Sequence, residues 1–171
     1  MSAISKRPYF FALVALYLLF ILRVLGQILV ALFHPPFLPA MNEWYSGLVP
    51  YPILLVCQVG IIYLFGKICM DFAGLGGHFS VPDKKLAILL TRCGTLYFSA
   101  MLIRYALLIG THPQALWVTG CIPTAFHMVL ASYILVLSDY HHKASEALSR
   151  LSGQLASAGA AFSKVKELQN A

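Results

Sequence analysis

The chain has 171 residues, 60% of them hydrophobic and 11% charged, with a mean hydropathy of +0.79 and a formal charge of +6. Soluble domains average about 25% charged residues, and a soluble fold of this size has too little interior to hide so much apolar surface. A water-soluble globular domain is excluded, and the basic excess does not imply a nucleic-acid partner, because the cations cluster at the ends of apolar runs, where they set topology and meet anionic lipid.

Crossing the hydrocarbon core takes about 20 apolar residues. Four segments qualify: Phe10–Phe33, Pro50–Met70, Leu86–Ile109 and Ala115–Leu137. Only helices or closed barrels satisfy the backbone inside lipid, and continuous rather than alternating apolar runs predict helices. The first run is too long for a signal-peptide core and lacks an Ala-x-Ala exit. Ser2 stands where myristoylation needs glycine, and there is no C-a-a-X box. The loop that follows, from His34-Pro35-Pro36 to Tyr51-Pro52, holds five prolines in 19 residues. Proline fixes φ and removes a donor, so this loop is stiff. Its Phe37, Leu38, Met41 and Trp44 are apolar enough to lie on a membrane surface or against a partner. After the second span, Gly74-Leu75-Gly76-Gly77-His78 is a turn and not a phosphate cradle, since no strand precedes it and no Lys-Ser/Thr follows.

Past the fourth span the composition changes to Ala, Ser, Lys and Glu. Leu148, Leu151, Leu155, Ala158, Phe162 and Val165 are spaced 3-4-3-4-3, a heptad seam. Gly153 and Gly159 each weaken a helix there by about 1 kcal/mol relative to alanine, so the seam needs a partner surface. Lys6 and Arg7 precede the first span; Lys67, Lys84, Lys85 and Arg92 flank the middle loop; Lys143, Arg150, Lys164 and Lys166 follow the fourth span. The other two loops carry no Lys or Arg. The positive-inside rule then puts both termini in the cytoplasm. Trp44, Tyr45, Tyr51 and Trp117 are expected at the outer interface, and Tyr9, Phe72 and Tyr140 at the inner one. The expected architecture is an all-α integral membrane protein: an antiparallel four-transmembrane-helix bundle over residues 1–142, followed by a cytoplasmic amphipathic helix over 143–171.

Polar groups inside the spans are the default functional candidates. Arg23 lies near mid-span, about 15 Å from the outer end at 1.5 Å per residue, too deep to snorkel. It must face the other helices, with Gln27 one turn further on. Gln58, Arg104 and His127 come from the other three spans, and Arg104 is shallow enough to snorkel. Glu43 is the one acid on the outer side. These residues form either an interhelical hydrogen-bond network or an outward-facing polar pocket. A desolvated arginine needs a strong acceptor, and a lipid phosphate, a quinone carbonyl, an anion or another subunit's carboxylate would serve. His34-Pro35 and Trp44 after Arg23 find a loose echo in His112-Pro113 and Trp117 after Arg104, a faint internal repeat. His127 is the one deep histidine, so a bis-histidine haem has no matched pair. Asp139, His141, His142 and His78 read as a solvated helix end and not a metal site. The cysteines Cys57, Cys69, Cys93 and Cys121 form no C-x-x-C pair and read as small apolar residues, although Cys57 and Cys121 fall in the same half of the span region.

No nucleophile–base grouping or metal motif appears. The leading expectation is a non-catalytic accessory, assembly or stabilising subunit of a larger membrane complex in a bacterial inner membrane. Its partners would be membrane lipids, other membrane subunits or further copies of itself, with the tail residues Leu148, Leu151, Leu155, Phe162 and Val165 as contact points. The alternative is a binder or transporter of a lipid, quinone or anion, using Arg23, Gln27, Glu43, Gln58, Arg104 and His127. A membrane redox protein with haem or quinone is the third. No cofactor is required, though a bound phospholipid or quinone would fit the polar site.

Overall fold

The computed structural model describes residues 5–39, 41–44, 50–74, 77–111 and 121–169, with side chains described for all of these except 42, 43, 121 and 160–169. Among the described residues there are helices and no strand: α1 (Arg7–Phe33), α2 (Met41–Trp44), α3 (Tyr51–Phe72), a 3₁₀ turn (His78–Ser80), α4 (Lys84–Thr111) and α5 (Cys121–Gln169). Four of them are long and apolar enough to cross a membrane, the signature of a multi-pass membrane protein.

Local chemistry sets the helix ends. His34 takes a left-handed conformation (φ 47°, ψ 49°), and its N–H returns to the Val30 carbonyl at 3.2 Å, the usual way to close a helix. Pro35 and Pro36 then prevent continuation. Prolines also open α1 and α3, where the missing N–H is one the first turn would leave unpaired anyway. Asp83 caps α4: its Oδ1 accepts from Lys85 N at 2.8 Å and Leu86 N at 3.3 Å. Those two backbone donors hold the Asp83 carboxyl below the usual carboxylate range.

The helices pack as three plus one. α1 runs antiparallel to α3: Phe20 meets Phe65, and Gln27 meets Gln58. It also runs antiparallel to α5, with Tyr9 beside Tyr140 and Arg23 over Phe126. α3 and α5 are therefore parallel, and aromatic rings join them. Phe65 stacks flat on Tyr133 with centroids 3.6 Å apart, and Phe72 meets Tyr140 edge-on at 4.6 Å. Leu13, Ile68, Cys69 and Leu137 complete this core. α4 instead lies along α5, its one extensive neighbour among the described residues. It buries Ala87 and Gly94 and leaves Leu89, Leu96, Ile103 and Leu107 exposed. An apolar stripe of that length is stable only under lipid or a partner. The expected four-helix bundle is thus a three-helix core with a fourth helix applied to its side. The reason is residue size, since Gly94 lets α4 close onto Leu135 and Ile134 while the aromatics fill the core without it.

At the end where the chain begins, residues 77–83 form a strap across the helix ends. Asp71, buried, accepts from Lys67 Nζ at 2.7 Å and Phe79 N at 3.1 Å. Tyr140 donates to the Ser80 carbonyl at 2.8 Å, and Asp83 N donates to His141 Nδ1 at 3.3 Å. A Cβ at Gly77 would overlap the Asp71 carboxylate, so the close approach requires glycine. Beyond the strap α5 continues as helix through Gly153 and Gly159 to Gln169. At 1.5 Å per residue its 49 residues reach about 73 Å. The tail expected over 143–171 is therefore joined to the fourth span by unbroken helix.

Candidate functional site

Arg23 and Gln27 are one turn apart on α1, so they share a face. That face is turned inward: Arg23, Gln27 and Gln58 are all buried. Arg23 Nη1 donates to Gln27 Oε1, and Gln58 Nε2 donates to the same oxygen at 3.0 Å. Arg23 Nη2 donates to the backbone carbonyl of Trp44 at 2.7 Å. The guanidinium also lies 5.8 Å from the Phe126 ring centroid, a cation–π contact from α5. Three helices and α2 thus meet on one charge.

Trp44 is the residue the sequence did not single out for this role. It was expected at the outer interface, within a loop lying on a membrane or partner. Within the chain it is 8% exposed and folds back onto α1. Its ring rests on Gly26, where a Cβ would sit 2.7 Å from Cη2. Its Nε1 donates to the Pro39 carbonyl at 3.0 Å, which satisfies the indole inside an apolar setting. The available signal was Gly26 itself, a gap on the face next to Arg23 large enough for an indole. Burial here follows from pairing, because α2 is one turn long and its end carbonyl has no helical partner, while Arg23 needs acceptors.

The accounting leaves a remainder. Among the described side chains no carboxylate pairs with Arg23; its described partners are two neutral oxygens and the Phe126 ring, with Tyr51 within electrostatic reach. Arg23 Nε, Gln27 Nε2 and Gln58 Oε1 are buried without a hydrogen-bond partner. Two donors and one acceptor in one cluster match an acceptor-rich group or a bridging water.

The other expected site residues stand apart. His127 Nδ1 shares a 2.6 Å hydrogen bond with the Tyr97 hydroxyl of α4. Arg23 and Arg104 both lie within electrostatic reach of His127, but Arg104 is exposed on α4 and joins no described hydrogen bond. Arg23 and Arg104 therefore occupy unlike settings, and His112 and Trp117 lie outside the described residues. The Glu43 side chain and that of Cys121 lie outside the described side chains. Cys57 and Cys93 are exposed free thiols, and Cys69 is buried 3.6 Å from the Tyr133 hydroxyl. Leu148, Leu151 and Leu155 are exposed on α5, while the side chains of Phe162 and Val165 are outside those described. At the strap end Asp139 binds Tyr9 and Lys143, His141 accepts from Asp83 N, and His142 faces Glu146 at 3.3 Å. These groups point to separate partners.

Donors converge on a buried position, but among the described residues no nucleophile there is paired with a base, as covalent catalysis would need. Compared with protein-family models, curated proteins and solved structures, the chain matches none.

Proposed function

We propose that this chain is a non-catalytic subunit, acting in assembly or stabilisation of a larger membrane complex in a bacterial inner membrane, with both termini in the cytoplasm. The observation that carries the reading is α4. Among the described residues its one extensive neighbour is α5, and its opposite face has no protein cover, so it offers an apolar face to other membrane helices. The exposed leucines of the α5 tail add a second contact surface on the side where the lysines and arginines gather. The orientation rests on that same asymmetry of basic residues.

The test is purification of the native protein from its own membranes in mild detergent, with subunits counted by mass spectrometry. Stoichiometric membrane partners are expected, and replacing Leu96 and Ile103 together by tryptophan should release them while the core stays folded. A chain that elutes alone, unaffected by these changes, would overturn the reading.

The unsatisfied trio of Arg23 Nε, Gln27 Nε2 and Gln58 Oε1 supports a second reading. In it the cluster holds a phospholipid, quinone or small anion through an acceptor oxygen. Extraction and mass spectrometry of the purified protein should then recover a bound molecule that Arg23→Leu loses. Absorbance of the same sample tests for haem, through a Soret band.

A further inference from the structure

The two amides of the buried cluster each have one permitted orientation. Arg23 Nη1 can only donate, so the atom of Gln27 that faces it is the carbonyl oxygen. A reversed Gln27 would set an NH₂ group against the guanidinium. Gln58 then faces an oxygen and presents its own NH₂ group, with Nε2 donating to Gln27 Oε1 at 3.0 Å. A reversed Gln58 would set two carbonyl oxygens against each other. Amide N and O are hard to tell apart by shape, but here the charge of Arg23 fixes both amides in turn.

The same relay fixes what each amide has left over. Gln27 keeps a donor, Nε2, and Gln58 keeps an acceptor, Oε1, and neither atom has a hydrogen-bond partner. Gln27 is 0% exposed and Gln58 4%, so solvent does not reach these atoms and leaving them bare carries the full desolvation penalty. They are also close together. The N and O of one amide are about 2.3 Å apart, so across the bond that joins the amides the two atoms lie at most about 7.5 Å apart. One or two oxygens at hydrogen-bond distance fill such a gap. An occupant must accept from Gln27 and donate to Gln58. A quinone carbonyl or an unprotonated phosphodiester oxygen accepts but has nothing to give, and would set a lone pair against Gln58 Oε1. An O–H group does both. Arg23 Nε, a third buried donor without a partner, adds to the demand for oxygen and leaves the need for a proton unchanged.

We infer that Gln27 and Gln58 are bridged by an oxygen that carries its own proton, supplied by a hydroxyl of a bound ligand or by a buried water. The inference takes from the second reading the cluster as an occupied site, and it narrows the occupant from acceptors in general to O–H groups.

The test is a crystal structure of the full chain, purified from its own membranes with no ligand added, at a resolution that shows ordered water. It is read beside mass spectrometry of molecules extracted from the same sample. Oxygen density within hydrogen-bond distance of both Gln27 Nε2 and Gln58 Oε1 is expected. A hydroxyl-bearing molecule recovered from the sample and fitting that density makes a ligand the source, and both readings stand. Density with no recovered molecule makes water the source; the inference then stands and the second reading falls. A quinone or phosphodiester that touches Gln58 Oε1 through an oxygen without a proton would overturn the inference and leave the second reading standing. A direct bond between Gln27 Nε2 and Gln58 Oε1, with nothing between them, would overturn both. Gln27→Glu checks the ligand case without crystals. The new carboxylate still accepts from Arg23 and Gln58, but it replaces the leftover donor by an acceptor. A single hydroxyl has one proton for two acceptors, so recovery of the bound molecule should fall about tenfold or more. Recovery at the wild-type level would overturn the polarity assigned to Gln27, and the inference with it.

Discussion

At the scale of single residues, two neighbours on α1 do opposite things: Arg23 supplies a charge, and Gly26 supplies a space. Trp44 answers both, with its carbonyl on the guanidinium and its ring on the glycine. Trp44→Ala empties that space, and large aromatic truncations cost about 3–5 kcal/mol in a packed core. The variant should show a clearly lower melting temperature in detergent. Gly26→Ala should act the same way more weakly, because its Cβ would push the far edge of the ring. Arg23→Leu removes two hydrogen bonds but also a desolvated charge. Hydrogen bonds between membrane helices average about 0.6 kcal/mol each, so its effect should be smaller than that of Trp44→Ala. Arg23→Lys should keep only part of the interaction, since a point charge does not reproduce a planar fork. A loss for Arg23→Leu equal to that for Trp44→Ala would show that the charge, and not the ring, anchors α2.

At the scale of elements, α4 depends on one contact line. A Cβ at Gly94 would lie 2.9 Å from Leu135 Cδ2 and 3.1 Å from Ile134 Cγ2. Thr91 and Ser138 share a hydrogen bond at 2.6 Å, and so do Tyr97 and His127. Gly94→Leu should wedge α4 off α5, and the stacked aromatics of the remaining core should hold. The measurement is disulfide formation between Thr91→Cys and Ser138→Cys, expected in the parent and lost with Gly94→Leu. Retained crosslinking would mean that the bend and tilt of α4 absorb the added volume. The strap makes a matching case at the chain's beginning. Gly77→Ala forces the Asp71 carboxylate to move, and Asp71 holds both Lys67 and Phe79 N. Limited proteolysis within 77–83 should become faster in that variant.

At the scale of the whole molecule, position across the membrane is the open variable. If both termini lie inside, as proposed, a cysteine at Phe37 should react with an impermeant reagent added to intact cells. One at Ser157 should react only after permeabilisation. Both positions are exposed, so a reversed pattern reflects orientation and not burial. The core ends at Ala144, and no residue from Leu148 onward in the described part is buried. Deleting residues 149–171 should therefore leave the melting temperature of the core unchanged while removing whatever binds the tail. A large drop would mean that the tail supports the core through contacts of its own.

The four long apolar helices, their approximate limits and the sharing of one face by Arg23 and Gln27 were all legible in the sequence. Each depends on local periodicity and on counting along one helix. Three things depended on which surfaces meet. α4 stands outside the core because glycine and small side chains face α5 while the aromatics of α1, α3 and α5 close on one another. Trp44 is packed on α1 because a glycine three residues from an arginine leaves a space and a donor together. Arg104, also an arginine within a span, is exposed on α4 and joins no described hydrogen bond, while Arg23 is buried among α1, α2 and α5. Hydropathy records how apolar a segment is and not which neighbour it meets, so pairing between distant segments was decided by the tertiary structure alone.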